Sequence, residues 1–294
     1  MKQKSDWNRL LVFIFIIFVI GFILYYIKTR VLELHYDNFQ STNNNNTDNT
    51  IPPQNQNALT IPKNIIQVWI DFSNKLDKTL EYPLSYKGFV KSVTEINSSF
   101  NHMFFNREKI EDFLTKKYPE YYKTYEKLPV NIQKVDFFRY IAMYHYGGFY
   151  FDLDITAVEP LDELLSLECV FPIDNFIDAN MCPSSRYKPY CEKNMNFLLG
   201  QYAFAAKPRH EFIKILIDGI HDNIDEYIAL YKSNKYENHE FYIYQTTGPD
   251  YVTNKYIAYK TKGNITILEY PLRQYFGKYA RHSYKGSWKE NMRN

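Results

Sequence analysis

The sequence predicts an α/β fold, because short apolar runs that suit buried strands alternate with stretches of helical apolar spacing. Two observations carry this prediction. Residues 64–70 (NIIQVWI) form an apolar run of strand length. Residues 130–146 repeat apolar side chains at helical spacing, stop at Gly147-Gly148 and lead into the apolar run 149–151. No internal repeat is visible, so residues 61–294 are expected to form one folded unit.

The other elements follow from the same periods, taken in chain order. Helical spacing begins near Asn106 and continues loosely over residues 118–127, before the stronger helix at 130–146. A strand is predicted at 149–151. The later predictions are a short helix at 161–167, a strand at 168–173, an irregular loop at 177–193, strand-like residues at 197–206, a helix from Pro208 to about Tyr231, a helix after Pro249 and a strand at 265–268.

Composition excludes several classes of protein. The chain of 294 residues is 45% apolar and 18% aromatic, which is enough to bury a core. Its net charge is +2 and its Lys and Arg residues form no cluster, so no nucleic-acid partner is expected. The cysteines Cys169, Cys182 and Cys191 lack the paired spacing of a zinc site. A Cys182–Cys191 bridge suits an oxidising compartment, and the sequence alone does not decide whether it forms.

The N-terminal sixty residues predict a membrane anchor and a stem. Residues 10–27 contain no charged side chain and would cover about 27 Å as a helix, close to the thickness of the hydrocarbon core. The run is longer than the apolar part of a signal peptide and lacks a small-residue cleavage site, which indicates an uncleaved signal anchor. Residues 1–9 would then be a short cytosolic tail. The Asn- and Pro-rich residues 28–60 predict a disordered stem.

Two aspartates follow the predicted strand at 149–151. Asp152 and Asp154 can converge on one point at or beyond the strand end, because side chains two residues apart point the same way. Two carboxylates that close repel unless one is protonated or a cation lies between them, so the pair predicts a hard divalent cation. Solvated loop aspartates are the alternative. On the preceding helix, Asp136 and Arg139 share a face, which suits a surface ion pair as well as a functional pair.

Four sequence blocks carry a resemblance to a known family. They are IPKNIIQVW at 61–69, KVDFFRYIAMYHYGGFYFDLDITAVEPLD at 134–162, TTGPDYVT at 246–253 and RHSYKGSW at 281–288. In this order they resemble the DXD glycosyltransferases of family 32, which share the glycosyltransferase sugar-binding region containing DXD motif. That family includes fungal initiating α-1,6-mannosyltransferases and animal α-1,4-galactosyl- and N-acetylglucosaminyltransferases. The resemblance implies that residues 61–294 are a catalytic domain of GT-A type, a single Rossmann-like domain with a mixed central sheet.

The resemblance also implies an activity. A metal-dependent, retaining glycosyltransferase would move a hexose from a UDP- or GDP-sugar to a glycan, glycolipid or glycoprotein, with Mn²⁺ or Mg²⁺ as cofactor. The chemistry agrees, because a cation on two carboxylates would stabilise the charge of a departing diphosphate. Together with the anchor, the resemblance implies a type II membrane protein with a lumenal catalytic domain in the Golgi or endoplasmic reticulum, unless the source is viral or bacterial. No residue stands out as a covalent nucleophile, so double displacement and same-face attack both stay open.

Carried over by position, the resemblance assigns the site residues. Asp152, Asp154 and His282 would hold the metal and the diphosphate, and an imidazole suits manganese as a third ligand. Asp136 and Arg139 would hold hydroxyls of the transferred sugar and, with the two DXD aspartates, complete the catalytic set. The donor-binding set adds a stacking platform for the base and three further side chains, in order Trp69, Tyr150, Ser287 and Trp288.

Two positions depart from the family pattern. Ile66 stands where many relatives have His, and Ser283 where a second His is common. These departures bear on the identity of the donor more than on catalysis. We also expect Arg139→Ala to impair sugar transfer more than the binding of a nucleoside diphosphate.

Two other functions fit parts of the sequence. Residues 152–156 (DLDIT) match the D-x-D-x-T pattern of haloacid-dehalogenase-like phosphatases, in which the first Asp is the nucleophile and the second the acid/base beside Mg²⁺. That fold usually begins its core with this strand, whereas about ninety folded residues precede it here. The other alternative is a membrane-anchored sugar-binding protein without catalysis. The intact Asp152, Asp154 and His282 argue against it.

Overall fold

The computed structural model describes residues 60–71, 81–233, 239–259, 262–270 and 272–290. All of these belong to one structural unit, Asn55–Asn294. The predicted tail, span and stem at residues 1–9, 10–27 and 28–60 lie outside the described residues, apart from Thr60, and stay predictions. None of the described helices is long and apolar enough to cross a membrane.

Two sheets contain the described strands. The strands are β1 (Asn64–Val68), β2 (Asn101–Phe105), β3 (Gly148–Phe151), β4 (Ile155–Ala157), β5 (Cys169–Phe176), β6 (Phe197–Leu199), β7 (Ala203–Ala206), β8 (Thr266–Leu268), β9 (Tyr275–Phe276) and β10 (Ala280–His282). The larger sheet has the order β2-β1-β3-β7-β5-β6, with β8 paired to β5. Its pairs β1–β2, β1–β3 and β5–β8 are parallel, whereas β3–β7, β5–β7 and β5–β6 are antiparallel. The predicted mixed central sheet is therefore confirmed.

Helices connect most of these strands. They are α1 (Lys87–Ile96), α2 (Arg107–Lys117), α3 (Pro119–Lys127), α4 (Asn131–Tyr146), α5 (Lys188–Cys191), α6 (Glu211–Asp222), α7 (Ile224–Lys232), α8 (His239–Thr246), α9 (Pro249–Ala258) and α10 (Ser287–Glu290). The predicted α/β class is confirmed by this arrangement.

Strand β3 lies inside the larger sheet and is buried along its whole length. Tyr150 belongs to the larger apolar core, which also contains the buried side chains of α4 and α6. Phe149 and Phe151 belong to a second core together with residues of the smaller sheet. The division follows from the two-residue period of a strand, which sends neighbouring side chains to opposite faces. A strand covered on both faces is a rigid support for the residues that follow it.

The smaller sheet brings the C-terminal block to the end of β3. It has the order β4-β10-β9, and both pairs are antiparallel. In this register His282 of β10 lies opposite Ile155, the first residue of β4. Because Ile155 directly follows Asp154, the pairing places His282 beside the acidic pair.

The structure differs from the sequence prediction at several elements. Residues 161–167 contain only a 3₁₀ turn, Asp162–Leu164, because the chain enters β5 at Cys169. The predicted helix from Pro208 to about Tyr231 is two helices, α6 and α7, which meet at Asn223. Helix α1, strand β2 and the smaller sheet are absent from the prediction. The strands of that sheet are two or three residues long, too short for a period to be visible.

Gly148 allows β3 to approach β1 closely, and this gives a testable prediction. Its φ is +112°, and an added Cβ would lie 2.4 Å from the carbonyl oxygen of Asn64. Gly148→Ala is therefore expected to lower the free energy of unfolding by about 2–5 kcal/mol, from backbone strain and overpacking together. Gly88→Ala is the matched control, because Gly88 lies in helix α1 with nothing within 4 Å of an added Cβ. It should raise stability by about 0.5–1 kcal/mol. Denaturant unfolding of the two variants checks the contrast, and equal shifts would contradict it.

Candidate active site

The two DXD carboxylates lie in a tight turn between β3 and β4. The backbone N–H of Asp152 donates to the carbonyl of Tyr202 at 2.8 Å, which extends the pairing of β3 with β7 by one residue. The N–H of Ile155 donates back to the carbonyl of Asp152 at 3.2 Å and closes the turn. Asp152, Asp154 and His282 each offer one ligand atom, and these three atoms all lie within 4.8 Å of one another. The structure thus brings together the three residues predicted as metal ligands.

Asp154 is fixed by the C-terminal block. One of its carboxylate oxygens, Oδ1, lies 3.1 Å from Nε2 of His282, and the other, Oδ2, accepts the backbone N–H of Lys285 at 2.7 Å. Burial opposes the charge of Asp154, but His282 and this N–H outweigh burial and lower its pKa. Burial likewise opposes charge on His282, but the bond to Asp154 and the surrounding carboxylates raise the pKa of the imidazole. The ring of Tyr202 stacks on that imidazole at 4.5 Å between centroids and holds its orientation.

The chemistry of these three side chains fits a divalent cation. Two carboxylates and one imidazole are a donor set that suits manganese and, through the oxygens, magnesium. Nδ1 of His282 is buried and has no hydrogen-bond partner among the described residues. A buried ring nitrogen without a partner costs free energy unless something occupies it, which agrees with a ligand at this position.

Asp136 and Arg139 form a buried ion pair, so the alternative of a surface pair is excluded. Nη2 of Arg139 lies 3.0 Å from Oδ1 of Asp136 and 3.3 Å from Oδ1 of Asp152. The side chains of Arg139 and Asp136 are only 3% and 1% exposed, whereas that of Asp152 is 27% exposed. Arg139 therefore links helix α4 to the acidic turn, and Asp152 presents the most accessible carboxylate of the three residues.

Backbone and side-chain groups complete the shell of this ion pair. Nη1 of Arg139 donates to the carbonyl of Gln201 at 2.9 Å. The hydroxyl of Thr247 donates to Oδ2 of Asp136 at 2.7 Å. Burial raises the pKa of Asp136 to about 6, although Arg139 and Thr247 both favour its charged form. Around Arg139, Asp152 and its neighbours outweigh burial and raise the pKa of the guanidinium. Burial is also the main cause that raises the pKa of Asp152.

Tyr150 lies behind the acidic pair. It is fully buried in β3, its hydroxyl donates to Oδ1 of Asp152 at 2.7 Å, and the guanidinium of Arg139 lies 4.5 Å from its ring centroid. Tyr150 therefore orients Asp152 and Arg139, and it does not line the cleft in front of them.

An open cleft of about 570 Å³ lies in front of the acidic turn. Trp69 lines one side, and the ring of Tyr86 lies 5.3 Å from its own. Ser287 and Trp288, at the start of α10, line the same cleft together with Asp152, Asp154 and His282. The structure thus gathers the predicted donor-binding residues Trp69, Ser287 and Trp288 around the acidic pair.

The two departures from the family pattern have different surroundings. Ile66 is completely buried in β1 and belongs to the larger core, so it does not reach the cleft. Ser283 is exposed, and its backbone N–H donates to the carbonyl of Asp154 at 3.0 Å. A side chain at position 283 can therefore change without loss of this contact.

Several supporting residues are absent from the sequence prediction. Gln201 binds Arg139 through its carbonyl and Asp136 through its amide, at 3.3 Å. Tyr202 stacks on His282, and Lys285 contributes only its backbone. Thr247 lies in the block TTGPDYVT, which is the one sequence signal that pointed to any of them. The other contacts come from turns whose geometry has no residue pattern.

Residues 83–171 match the family model described as "Glycosyltransferase sugar-binding region containing DXD motif". This segment contains Asp136, Arg139, Asp152 and Asp154. The chain is 35% identical over 111 residues to "Inositol phosphoceramide mannosyltransferase 3" of Schizosaccharomyces pombe, a match that covers 38% of this chain and 29% of that protein. It is 29% identical over 109 residues to "Initiation-specific alpha-1,6-mannosyltransferase" of Candida albicans, covering 36% of this chain and 27% of that protein. The predicted resemblance to the DXD glycosyltransferases is thereby confirmed.

Other matches are also partial. "Uncharacterized glycosyltransferase L373" of Acanthamoeba polyphaga mimivirus is 30% identical over 112 residues, which cover 38% of this chain and 42% of that protein. Among solved structures, "PaToxG Glycosyltransferase" aligns over 67% of this chain and 69% of that chain, with 15% identity and a TM-score of 0.42. The chain spans less than half the length of each of the three curated relatives named here.

Proposed function

From the DXD glycosyltransferase region that this chain carries, we propose that the protein is a metal-dependent glycosyltransferase of GT-A type. It moves a hexose from a UDP- or GDP-sugar to a hydroxyl of a glycan, glycolipid or glycoprotein, with retention of anomeric configuration. The names of the relatives, several of which are mannosyltransferases, support mannose as the first hexose to test.

One observation carries this proposal. Asp152, Asp154 and His282 converge at the mouth of a cleft, directly beside the buried pair of Asp136 and Arg139. The three converging residues would hold Mn²⁺ or Mg²⁺. A divalent cation there supplies positive charge to the diphosphate as it departs.

The remaining residues then have separate roles. Trp69 would stack on the nucleoside base, and Ser287 and Trp288 would lie beside the phosphates. Arg139 and Asp136 would hold hydroxyls of the transferred sugar, in a geometry that Tyr150, Gln201 and Thr247 fix in advance. The roles of these residues require little rearrangement, because the ion pair already touches Asp152.

A phosphatase explains the same residues less well. A nucleophilic Asp152 would need a free carboxylate oxygen, but Oδ1 is held by Tyr150 and lies beside Arg139. Strand β3 is also the third strand along the chain and pairs antiparallel with β7. Neither feature favours that hypothesis.

We also propose that the protein is a type II membrane protein whose catalytic domain faces the lumen of the Golgi or endoplasmic reticulum. The predicted anchor at 10–27 supports this topology. The bridge between Cys182 and Cys191 supports an oxidising compartment, since such bridges persist there and are rare in the cytosol.

Release of nucleoside diphosphate tests the proposed activity. The full chain, purified in detergent, is incubated with GDP-mannose, UDP-galactose, UDP-glucose or UDP-N-acetylglucosamine, with Mn²⁺ or with EDTA. We expect slow release from one of these donors, abolished by EDTA and restored by added Mn²⁺. Release from none of them, together with cleavage of p-nitrophenyl phosphate, would replace the proposal by the phosphatase hypothesis.

A further inference from the structure

A second open chamber, of about 650 Å³, adjoins the donor cleft. The two share Arg139, Asp152, His282 and Trp288, whereas Trp69 lines only the donor cleft. The remaining wall of this second chamber comes from side chains to which the proposed donor site gives no role, mainly Asp174, Arg186, Tyr202 and Tyr244. A molecule in the second chamber would therefore contact the same carboxylate and imidazole as the donor, without occupying the position of the base.

Asp174 projects from an irregularity in β5. Ile173 pairs with Leu199 and Asn175 with Leu198, so β5 has one residue more than β6 at this point, and Asp174 is the extra one. Such a bulge re-aims a side chain and is frequent beside active sites. The carboxylate of Asp174 has no hydrogen bond and no ion pair with any residue in the described ranges, although burial raises its pKa. It is therefore a partly buried acceptor whose hydrogen-bonding capacity is unused.

Arg186 faces the same chamber and is held rigidly. Its Nε and Nη2 bind the two oxygens of Asp250 at 3.2 and 2.6 Å, and its guanidinium lies 4.7 Å from the ring centroid of Tyr244. Asp250 is buried at the start of α9, so this pair ties the loop after β5 to that helix. The Cys182–Cys191 bridge closes the loop around Arg186. The third guanidinium nitrogen, Nη1, has no hydrogen bond within the described part of the chain and is left as a donor.

We propose that this chamber is the acceptor subsite and that Asp174 binds a hydroxyl of a neutral ring polyol, such as a sugar or a cyclitol. The inference rests on the proposed function and specifies its acceptor. A carboxylate and a guanidinium in one wall pair with the adjacent hydroxyls of such a ring, while the aromatic rings of Tyr244 and Trp288 suit its apolar faces. An anionic group would be repelled by Asp174, which has no cation of its own.

The step that this subsite serves is a simple exchange of bonds. A hydroxyl oxygen of the acceptor forms a bond to the anomeric carbon of the donor sugar, and the bond from that carbon to the diphosphate oxygen breaks. The hydroxyl proton passes to the released diphosphate. Asp174 takes no part in these bonds, and it orients the acceptor by accepting a hydrogen bond from a neighbouring hydroxyl.

The partition of the donor between acceptor and water tests the proposal. The full chain is given the donor that it hydrolyses, with methyl α-mannoside, methyl β-galactoside or myo-inositol at increasing concentration, and both free sugar and transfer product are measured. In the wild-type chain at least one polyol should divert the donor sugar from water to product. In Asp174→Asn the KM for that polyol should rise at least tenfold, while donor hydrolysis without polyol stays within twofold. Asp225→Asn is the control, because Asp225 is an exposed carboxylate outside both chambers.

Each other outcome overturns a distinct statement. Unchanged transfer by Asp174→Asn would remove Asp174 from the acceptor subsite. Loss of donor hydrolysis in a folded Asp174→Asn protein would show that Asp174 acts on the donor instead. A wild-type chain that hydrolyses the donor and uses none of the polyols would contradict the acceptor class. Failure of the wild-type chain to turn over any donor would overturn the proposed function itself, and the acceptor subsite with it.

Discussion

Asp152→Asn is expected to lower sugar transfer by at least about 100-fold, the scale on which removal of one electrostatic contact to a developing charge acts. Asp152 is the most accessible carboxylate of the proposed metal site, and the substitution removes one of its two negative charges. The fold should be unaffected. The hydroxyl of Tyr150 can donate to the amide oxygen as it does to the carboxylate, and Arg139 keeps its partner Asp136.

Initial rates and thermal unfolding of the same preparation check this prediction. Asp225→Asn is again the matched control, with wild-type rates expected. Retention of full transfer by Asp152→Asn would remove Asp152 from the metal site, and a large fall in the unfolding temperature would show that its role is structural.

Arg139→Ala is expected to lower the free energy of unfolding by about 3–5 kcal/mol, as is typical when one partner of a buried ion pair is removed. The guanidinium is the only described cation that lies within 4 Å of both Asp136 and Asp152, and its loss leaves these two carboxylates buried against each other. This burial also revises what Arg139→Ala can show about catalysis. The sequence analysis expects the variant to separate transfer from diphosphate binding, but a destabilised fold would weaken both.

A double variant isolates the cause. If the destabilisation comes from an unpaired carboxylate, Asp136→Asn combined with Arg139→Ala should be more stable than Arg139→Ala alone, because the amide removes one buried charge. Denaturant unfolding of the single and double variants gives the coupling free energy. A double variant that is less stable than Arg139→Ala would contradict the electrostatic explanation and favour lost packing.

The parts of the site that the sequence predicts are those set by local geometry. Asp152 and Asp154 follow a run of buried aromatic residues, and the two-residue period of a strand is sufficient to place them together. His282 is different, because it reaches Asp154 only through the pairing of β10 with β4. Those strands are three residues long, and without the resemblance nothing in the sequence would connect them.

Burial of the ion pair is a property of the tertiary fold. A spacing of three residues shows that Asp136 and Arg139 share a helix face, but the face is covered by Gln201 and Thr247 from distant loops. The same holds for Asp174, whose exposure to the second chamber comes from a bulge. Pro172 is the single local hint there, since proline inside a strand marks an edge or an irregularity.

Binding of Mn²⁺ tests the central claim most directly. Free Mn²⁺ is followed by electron paramagnetic resonance as the full chain is titrated, with and without GDP or UDP. The account predicts one bound ion per chain, tighter binding in the presence of the preferred diphosphate, and loss of both effects in Asp154→Asn. Binding that is unchanged in Asp154→Asn, or absent with both diphosphates, would contradict a metal site formed by Asp152, Asp154 and His282.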